Sequence, residues 1–426
     1  MNRPLVLGMG LVTLLAAGPP VAAQGPLDPQ RSGSIFVQCP GDTNGDAVPD
    51  TDIDPNVKCM HLAGGDGKVT MADGTELYIF SFSDVTGVPP ADVMDVGALA
   101  ANFTAPTIRL KEGQDFYLNL TNVGMVLRPD LSDPHSVHFH GFPQAAPVFD
   151  GTPETSIAVN QASTLTYYYQ IIEPGTYMYH CHVEATEHMQ MGMLGNLYVE
   201  PRQNECDNSV LNPCPAGHVT GNKYVYNDGD GSTGYDVEYP VQIGSFDPEF
   251  HNASETVQPL PFAIMRDRYA MLNGRGYPDT INPDPIVTPT DRNCRPGGPC
   301  SPSQPVHSLI TATAGQRVLL RISSLVTTRF YTLASTIPMK VVGHNARLHR
   351  GPSPDGGLTP GSDLYYTTNS VTLGGGEAID VILETAGLDG TYLLYTTNLN
   401  YLSNDAQDFG GMMTEIRIGA PAPGVP

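Results

Sequence analysis

The chain has 426 residues, with 44 acidic against 21 basic side chains and a formal net charge of −23. Such a surface repels phosphate backbones and anionic lipid, which argues against nucleic acid and membrane partners, and it attracts cations. Forty-five Gly and 39 Pro point to many short elements joined by turns, and the length suits two or three domains.

In chain order, residues 1–23 read as a cleaved secretory signal peptide: an early Arg3, an apolar run from Leu5 to Ala17, and the small-residue stretch Val21-Ala22-Ala23. No later apolar run approaches the roughly 20 residues that cross a bilayer. A secreted or periplasmic location follows as the expectation. Residues 24–70 form an N-terminal extension. It contains Cys39-Pro-Gly-Asp42-Thr-Asn44-Gly45-Asp46-Ala-Val-Pro-Asp50, whose oxygens at alternate positions suit a hard cation. The loop resembles calcium loops of the thrombospondin-repeat kind, with Asp42, Asn44, Asp46 and Asp50 as ligands. It lacks the bidentate Glu of an EF-hand, and an acidic turn closed by a Cys39–Cys59 bridge is the alternative.

The remainder reads as all-β. Segments such as Thr107-Ile-Arg-Leu, Asp115-Phe-Tyr-Leu-Asn-Leu, Thr164-Leu-Thr-Tyr-Tyr-Tyr, Val318-Leu-Leu-Arg-Ile and Ala378-Ile-Asp-Val-Ile-Leu are separated by turn residues, and two Greek-key β-sandwiches or barrels accommodate them. One domain is expected over 71–205 and another over 215–426, joined through a Pro/Asn/Cys-rich connection. Seven cysteines pair by proximity as Cys39–Cys59, Cys206–Cys214 and Cys294–Cys300, with Cys181 as the odd one.

Residues 135–193 hold six of the 12 histidines. The first motif is His135-Ser-Val-His138-Phe-His140-Gly; the second is His180-Cys181-His182, followed by His188 and Met193. A copper electron-transfer site takes two imidazoles, a thiolate and a weak axial thioether. His135, Cys181, His188 and Met193 supply that set, in a spacing that resembles the copper loop of a cupredoxin. The other four histidines alternate as His-x-His on two predicted strands, so each pair leaves one face and can meet metal together.

An internal repeat supports two domains. Gly113-Gln114 recurs as Gly315-Gln316, and Gly175-Thr176-Tyr177 as Gly390-Thr391-Tyr392. In this register His180, Cys181 and His182 fall opposite Tyr395, Thr396 and Thr397. The second domain keeps the strand pattern and lacks every copper ligand.

With His-x-x-His-x-His-Gly upstream of His-Cys-His, the chain resembles a two-domain multicopper oxidase of the laccase-like, cupredoxin kind over nearly all its length after residue 23. The resemblance implies a type 1 copper on His135, Cys181, His188 and Met193, and type 2 and type 3 coppers on His138, His140, His180 and His182. It makes Asp150 an acid that supplies protons near the cluster, although Asp150-Gly151 is also an ordinary turn signal. The implied reaction is one-electron oxidation of phenols, aromatic amines or metal ions with dioxygen as acceptor. It also implies a homotrimer, because a full cluster in that family takes eight histidines and this chain offers four. Copper nitrite reductase is the related alternative, with an Asp where this chain has His138 and a histidine where it has Thr397. His344, in a Gly-His loop, is the histidine of the second domain that most resembles that enzyme. A non-catalytic type 1 copper carrier is the alternative from outside enzymology.

Overall fold

A computed structural model describes residues 37–51, 53–143, 145–210, 212–288, 302–354 and 360–419. The expected signal peptide and the Cys294–Cys300 pair lie outside the described residues. Residues from Gln38 onward pack as one compact unit.

Its first half is built from β1 (Val57–Thr70), β2 (Glu76–Asp84), helix α1 (Val93–Gly97), β3 (Ala105–Lys111), β4 (Asp115–Gly124), β5 (His138–His140), β6 (Thr164–Gln170), β7 (Gly175–His180), helix α2 (Ala185–Gln190) and β8 (Leu194–Glu200). Two four-stranded sheets result, ordered β2-β1-β4-β6 and β3-β8-β7-β5. Leu62, Phe80, Ile108, Phe116 and Tyr179 fill the core of this half, as the alternation of apolar residues requires. The sequence puts residues 24–70 in an extension. The structure corrects that boundary, since Val57–Thr70 is a strand paired with both β2 and β4. Its Gly64-Gly65-Asp66-Gly67 run hides strand character from a propensity reading.

The second half comprises β9 (Lys223–Tyr224), β10 (Gly234–Tyr235), β11 (Val237–Phe246), helix α3 (Pro248–Glu255), β12 (Tyr269–Leu272), β13 (Ile310–Ala312), β14 (Arg317–Ser324), β15 (Tyr331–His344), β16 (Arg347–Leu348), β17 (Tyr366–Leu373), β18 (Glu377–Glu384), β19 (Gly390–Thr396) and β20 (Met413–Ile418). Its main sheet runs β12-β11-β14-β18-β15-β19-β20-β13. The order and sense of pairing repeat the first half. β1 pairs parallel with β4 as β11 does with β14, and β3 pairs parallel with β8 as β13 does with β20. The long strand β15 joins the two layers by pairing with both β18 and β19.

A third apolar cluster draws on both halves, including Ile79, Phe103, Met178, Phe246, Met271 and Ala378. Beside it lies a buried ionic network. Arg321 on β14 bonds Glu238 at 2.7 Å and approaches Asp380 on β18 at 3.7 Å. From the first half, Thr176 on β7 donates to Asp380 at 2.5 Å and Arg109 on β3 pairs with Glu238. Cys39–Cys59 and Cys206–Cys214 are disulfides, and Cys181 is free and buried.

Candidate metal centre

Strand periodicity sorts the ligands. On β5, His138 and His140 leave one face and Phe139 enters the core from the other. β5 pairs with β7 so that His138 stands opposite His180. Continuing the alternation, Cys181 turns into the core while His180 and His182 face the other way. Two sites on opposite faces therefore share one tripeptide.

Helix α2 then carries His188 back over Cys181. The loop closes on itself: the Cys181 N–H donates to the Met193 carbonyl at 3.1 Å, and the Met193 N–H to the His188 carbonyl at 2.8 Å. His135 arrives from a loop pinned by backbone bonds to Val159 in both directions, and by Asn122, whose side-chain amide donates to the carbonyls of Asp133 and Val159. The ligand atoms of His135, Cys181 and His188 lie within 4.8 Å of one another, with all three residues buried. His188 Nδ1 is 3.1 Å from Cys181 Sγ, and the Ser136 N–H points at the same sulfur at 3.4 Å. Met193 is fully buried in the same core. A Cβ on Gly64 would lie 3.0 Å from the His135 ring and 3.5 Å from the Met193 methyl, so that position has room for little beyond hydrogen.

This cluster fits copper on its own chemistry. Both ring nitrogens of His135 and Nε2 of His188 are buried without a hydrogen-bond partner, which is costly unless a metal takes a lone pair. Burial holds His135 well below the ordinary imidazole range and His188 down to about 4, so both are neutral ligands at neutral pH. Burial also pushes the Cys181 thiol up to about 11, so its thiolate calls for a bound cation.

On the other face, His138, His140, His180 and His182 line a cavity of about 320 Å³. Ring centroids are 5.0 Å apart for His138 and His182, 5.3 Å for His138 and His180, and 6.1 Å for His140 and His180. His138 Nδ1 lies 2.6 Å from the Asp150 carbonyl and His180 Nδ1 2.8 Å from the Cys181 carbonyl. Each such bond places the ring proton on Nδ1 and leaves Nε2 for a metal. Burial lowers His180 to about 3 and lowers His140 as well. The roof of the cavity comes from the second half of the same chain, at Leu325, Val326, Thr327, Gly375 and Gly376. None of these is a ligand.

The remaining expected residues fall elsewhere. Asp150 does not line the cavity. Its carbonyl orients His138, its Oδ1 stands 3.6 Å from His138 Nδ1, and its Oδ2 accepts from Thr152. In the expected calcium loop, Asp42 accepts the N–H groups of Gly45 and Ala47, Asn44 that of Asp46, Asp46 that of Val48, and Asp50 that of Thr43. Their oxygens are engaged as in a self-capped turn. His344 pairs its ring with His349 at 5.9 Å, away from the cavity. Cys206, Cys214 and His218 also gather their ligand atoms, but the two cysteines are a disulfide. Gly64, Asn122 and the roof residues were not legible as site residues, since nothing in their local sequence marks what they touch.

Comparison with known proteins accords with this geometry. The multicopper oxidase family model matches residues 86–204, from just after β2 through the copper loop to just past β8. Over residues 86–204 the chain is similar to a multicopper oxidase domain. A multicopper oxidase of Talaromyces pinophilus is 29% identical over 120 residues, which is 28% of this chain and 18% of that protein. A copper-containing nitrite reductase of Neisseria meningitidis serogroup B is 29% identical over 137 residues, 32% of this chain and 28% of that protein. The matches thus span less than a third of these relatives' length. In three dimensions the chain is similar to a blue copper oxidase of Nitrosomonas europaea, with TM-score 0.55 and 20% identity over 84% of this chain and 85% of that one, a likeness of fold. A copper oxidoreductase family and a cupredoxin-like, mostly β architecture are common to these findings.

Proposed function

We propose that this protein is a copper oxidase that removes electrons singly from small reductants, such as phenols, aromatic amines or low-valent metal ions, and delivers them to dioxygen. The observation that carries the reading is the position of Cys181. Its sulfur sits within 4.8 Å of the His135 and His188 ligand atoms, while its neighbours His180 and His182 line the opposite cavity. Copper bound at both places supplies one-electron redox chemistry, with His135, Cys181, His188 and Met193 holding one ion and His138, His140, His180 and His182 holding the rest. The chain's own burial keeps the His135, His140, His180 and His188 imidazoles neutral and excludes water from the sulfur, and backbone carbonyls fix the ring tautomers of His138 and His180. Asp150 acts in this reading as a positioning residue for His138, through its carbonyl. Two disulfides and the signal-like leader support a secreted or periplasmic setting. Replacing Cys181 by Ser tests the reading. The copper-loaded parent should be intensely blue and the variant colourless, with at least one copper fewer per chain by metal analysis. A blue Cys181→Ser protein would end the assignment.

A nitrite reductase-like reaction is the second reading. It is favoured by the similarity to the Neisseria enzyme and by the shortage of ligands over the four histidines. Copper content separates the two: about two ions per chain for the reductase plan, and three to four for the oxidase.

A further inference from the structure

Beside His140 lies a second cavity of about 160 Å³. It abuts the four-histidine cavity, because His140 and Gly376 form part of the wall of both. The rest of its wall comes from both halves of the chain: Gly141 after β5 and Thr176, Tyr177 and Met178 on β7, with Asn345 and Ala378 from the second half. The polar groups on these residues are largely engaged. Thr176 Oγ1 donates to Asp380 at 2.5 Å, the Tyr177 hydroxyl donates to the Glu173 carbonyl at 3.2 Å, and Asn345 Oδ1 accepts the Ala378 N–H at 2.9 Å. What faces the space is mainly carbon. The cavity is partly open to solvent, but its mainly carbon wall offers few of the two to four polar partners that hold an ordered water, and xenon and other small apolar molecules bind against walls of this kind.

We propose that this chamber is a binding pocket for a small uncharged gas, and that its occupant in turnover is dioxygen, held one side chain away from the four-histidine site. The assignment of dioxygen rests on the oxidase reading above. Nitrite does not suit the chamber, since no Lys or Arg lines it and its hydroxyl donors are turned outward. The shared wall depends on Gly376, where a Cβ would lie 2.7 Å from His140 Cε1. Any side chain there pushes the imidazole out of the partition.

Ala378 is buried in the chamber wall and does not line the four-histidine cavity, so it is the position to fill. Crystals of the copper-loaded protein pressurised with xenon should show the gas in this chamber, and crystals of Ala378→Leu should not. In solution the same variant should raise the KM for dioxygen several-fold. Its blue absorbance, and the rate at which a reductant bleaches it without air, should match the parent. If Ala378→Leu does not fold, Ala378→Val takes its place with a smaller shift of the same sign. Xenon absent from the chamber of the parent overturns the proposal, as does an unchanged KM in a variant that has lost xenon. A parent that takes xenon there yet consumes no dioxygen overturns the oxidase reading, and dioxygen as occupant with it.

Discussion

Residue by residue, the two faces of the His-Cys-His strand make separable predictions. His182 lines the four-histidine cavity and is not among the residues gathered around Cys181 Sγ. His182→Ala should therefore lower dioxygen uptake by at least the roughly 100-fold that even outer-shell changes reach at metal sites, while the blue absorbance stays near the parent's. Uptake equal to the parent's in an oxygen electrode would rule out this face as the dioxygen site. Two histidines outside both sites add to the acid sensitivity that the buried site histidines confer on the copper-free protein. His61 on β1 bonds Thr121 at 2.8 Å, His251 on α3 bonds the Tyr78 carbonyl at 2.5 Å, and burial holds each down to about 4. An unfolded chain protonates these rings near 6.5, whereas the folded one resists until about 4. Their stabilising contribution is thus complete above 6.5 and drains away as pH falls toward 4. The copper-free protein should lose several degrees of Tm over that window, and His251→Gln should flatten the slope. A variant with the parent's slope would remove His251 from the account.

Among the elements, the turn between β17 and β18 reaches the candidate site together with the segment after β14. Gly376 sits at φ +89°, a conformation that costs any residue with a Cβ, and a Cβ there would also strike His140. Gly376→Ala should destabilise the fold by about 1–3 kcal/mol and reduce dioxygen uptake roughly tenfold, with the blue band unchanged because the turn lines the cavity on the face opposite Cys181. Thermal unfolding and oxygen uptake measured on one preparation check both parts; parental values for both would show that the turn yields without moving His140. The β15–β16 hairpin behaves otherwise. Its His344 and His349 lie beside each other, with ring centroids 5.9 Å apart, and neither lines the four-histidine cavity of its own chain.

At the scale of the whole molecule, the second half acts on the first as a roof and an anchor. It supplies Leu325, Val326, Thr327, Gly375 and Gly376 over the four histidines, and Arg321, Glu238 and Asp380 to the buried network that grips β3 and β7. Among the described residues it adds no histidine to the cavity. A histidine from another copy of the chain would complete the cavity, and on that ground we expect a homotrimer closed by identical heterologous contacts. Sedimentation of the copper-loaded protein should give three times the chain mass. A monomer with a full copper complement and undiminished uptake would overturn that expectation.

Period-2 alternation was enough to put each His-x-His pair on one face of its strand, and the spacing of Cys181, His188 and Met193 to group them as one ligand set, because strand geometry is local and dictates side-chain direction from order alone. The pairing of Cys39 with Cys59 and of Cys206 with Cys214, and the repeat that aligns β7 with β19, were legible for the same reason: each joins residues close in sequence or similar in pattern. What the sequence left hidden depends on contacts between distant segments. Gly64 against His135, Asn122 on the loop of His135, Gly376 against His140, and the chamber beneath Ala378 each join residues tens to hundreds of positions apart, and no local periodicity encodes such a meeting. Asp150 shows the boundary between the two kinds of knowledge. Its place beside the cluster could be read from its motif, but that its carbonyl, not its carboxylate, engages His138 was decided by how residues 147–151 pack against β5 in three dimensions.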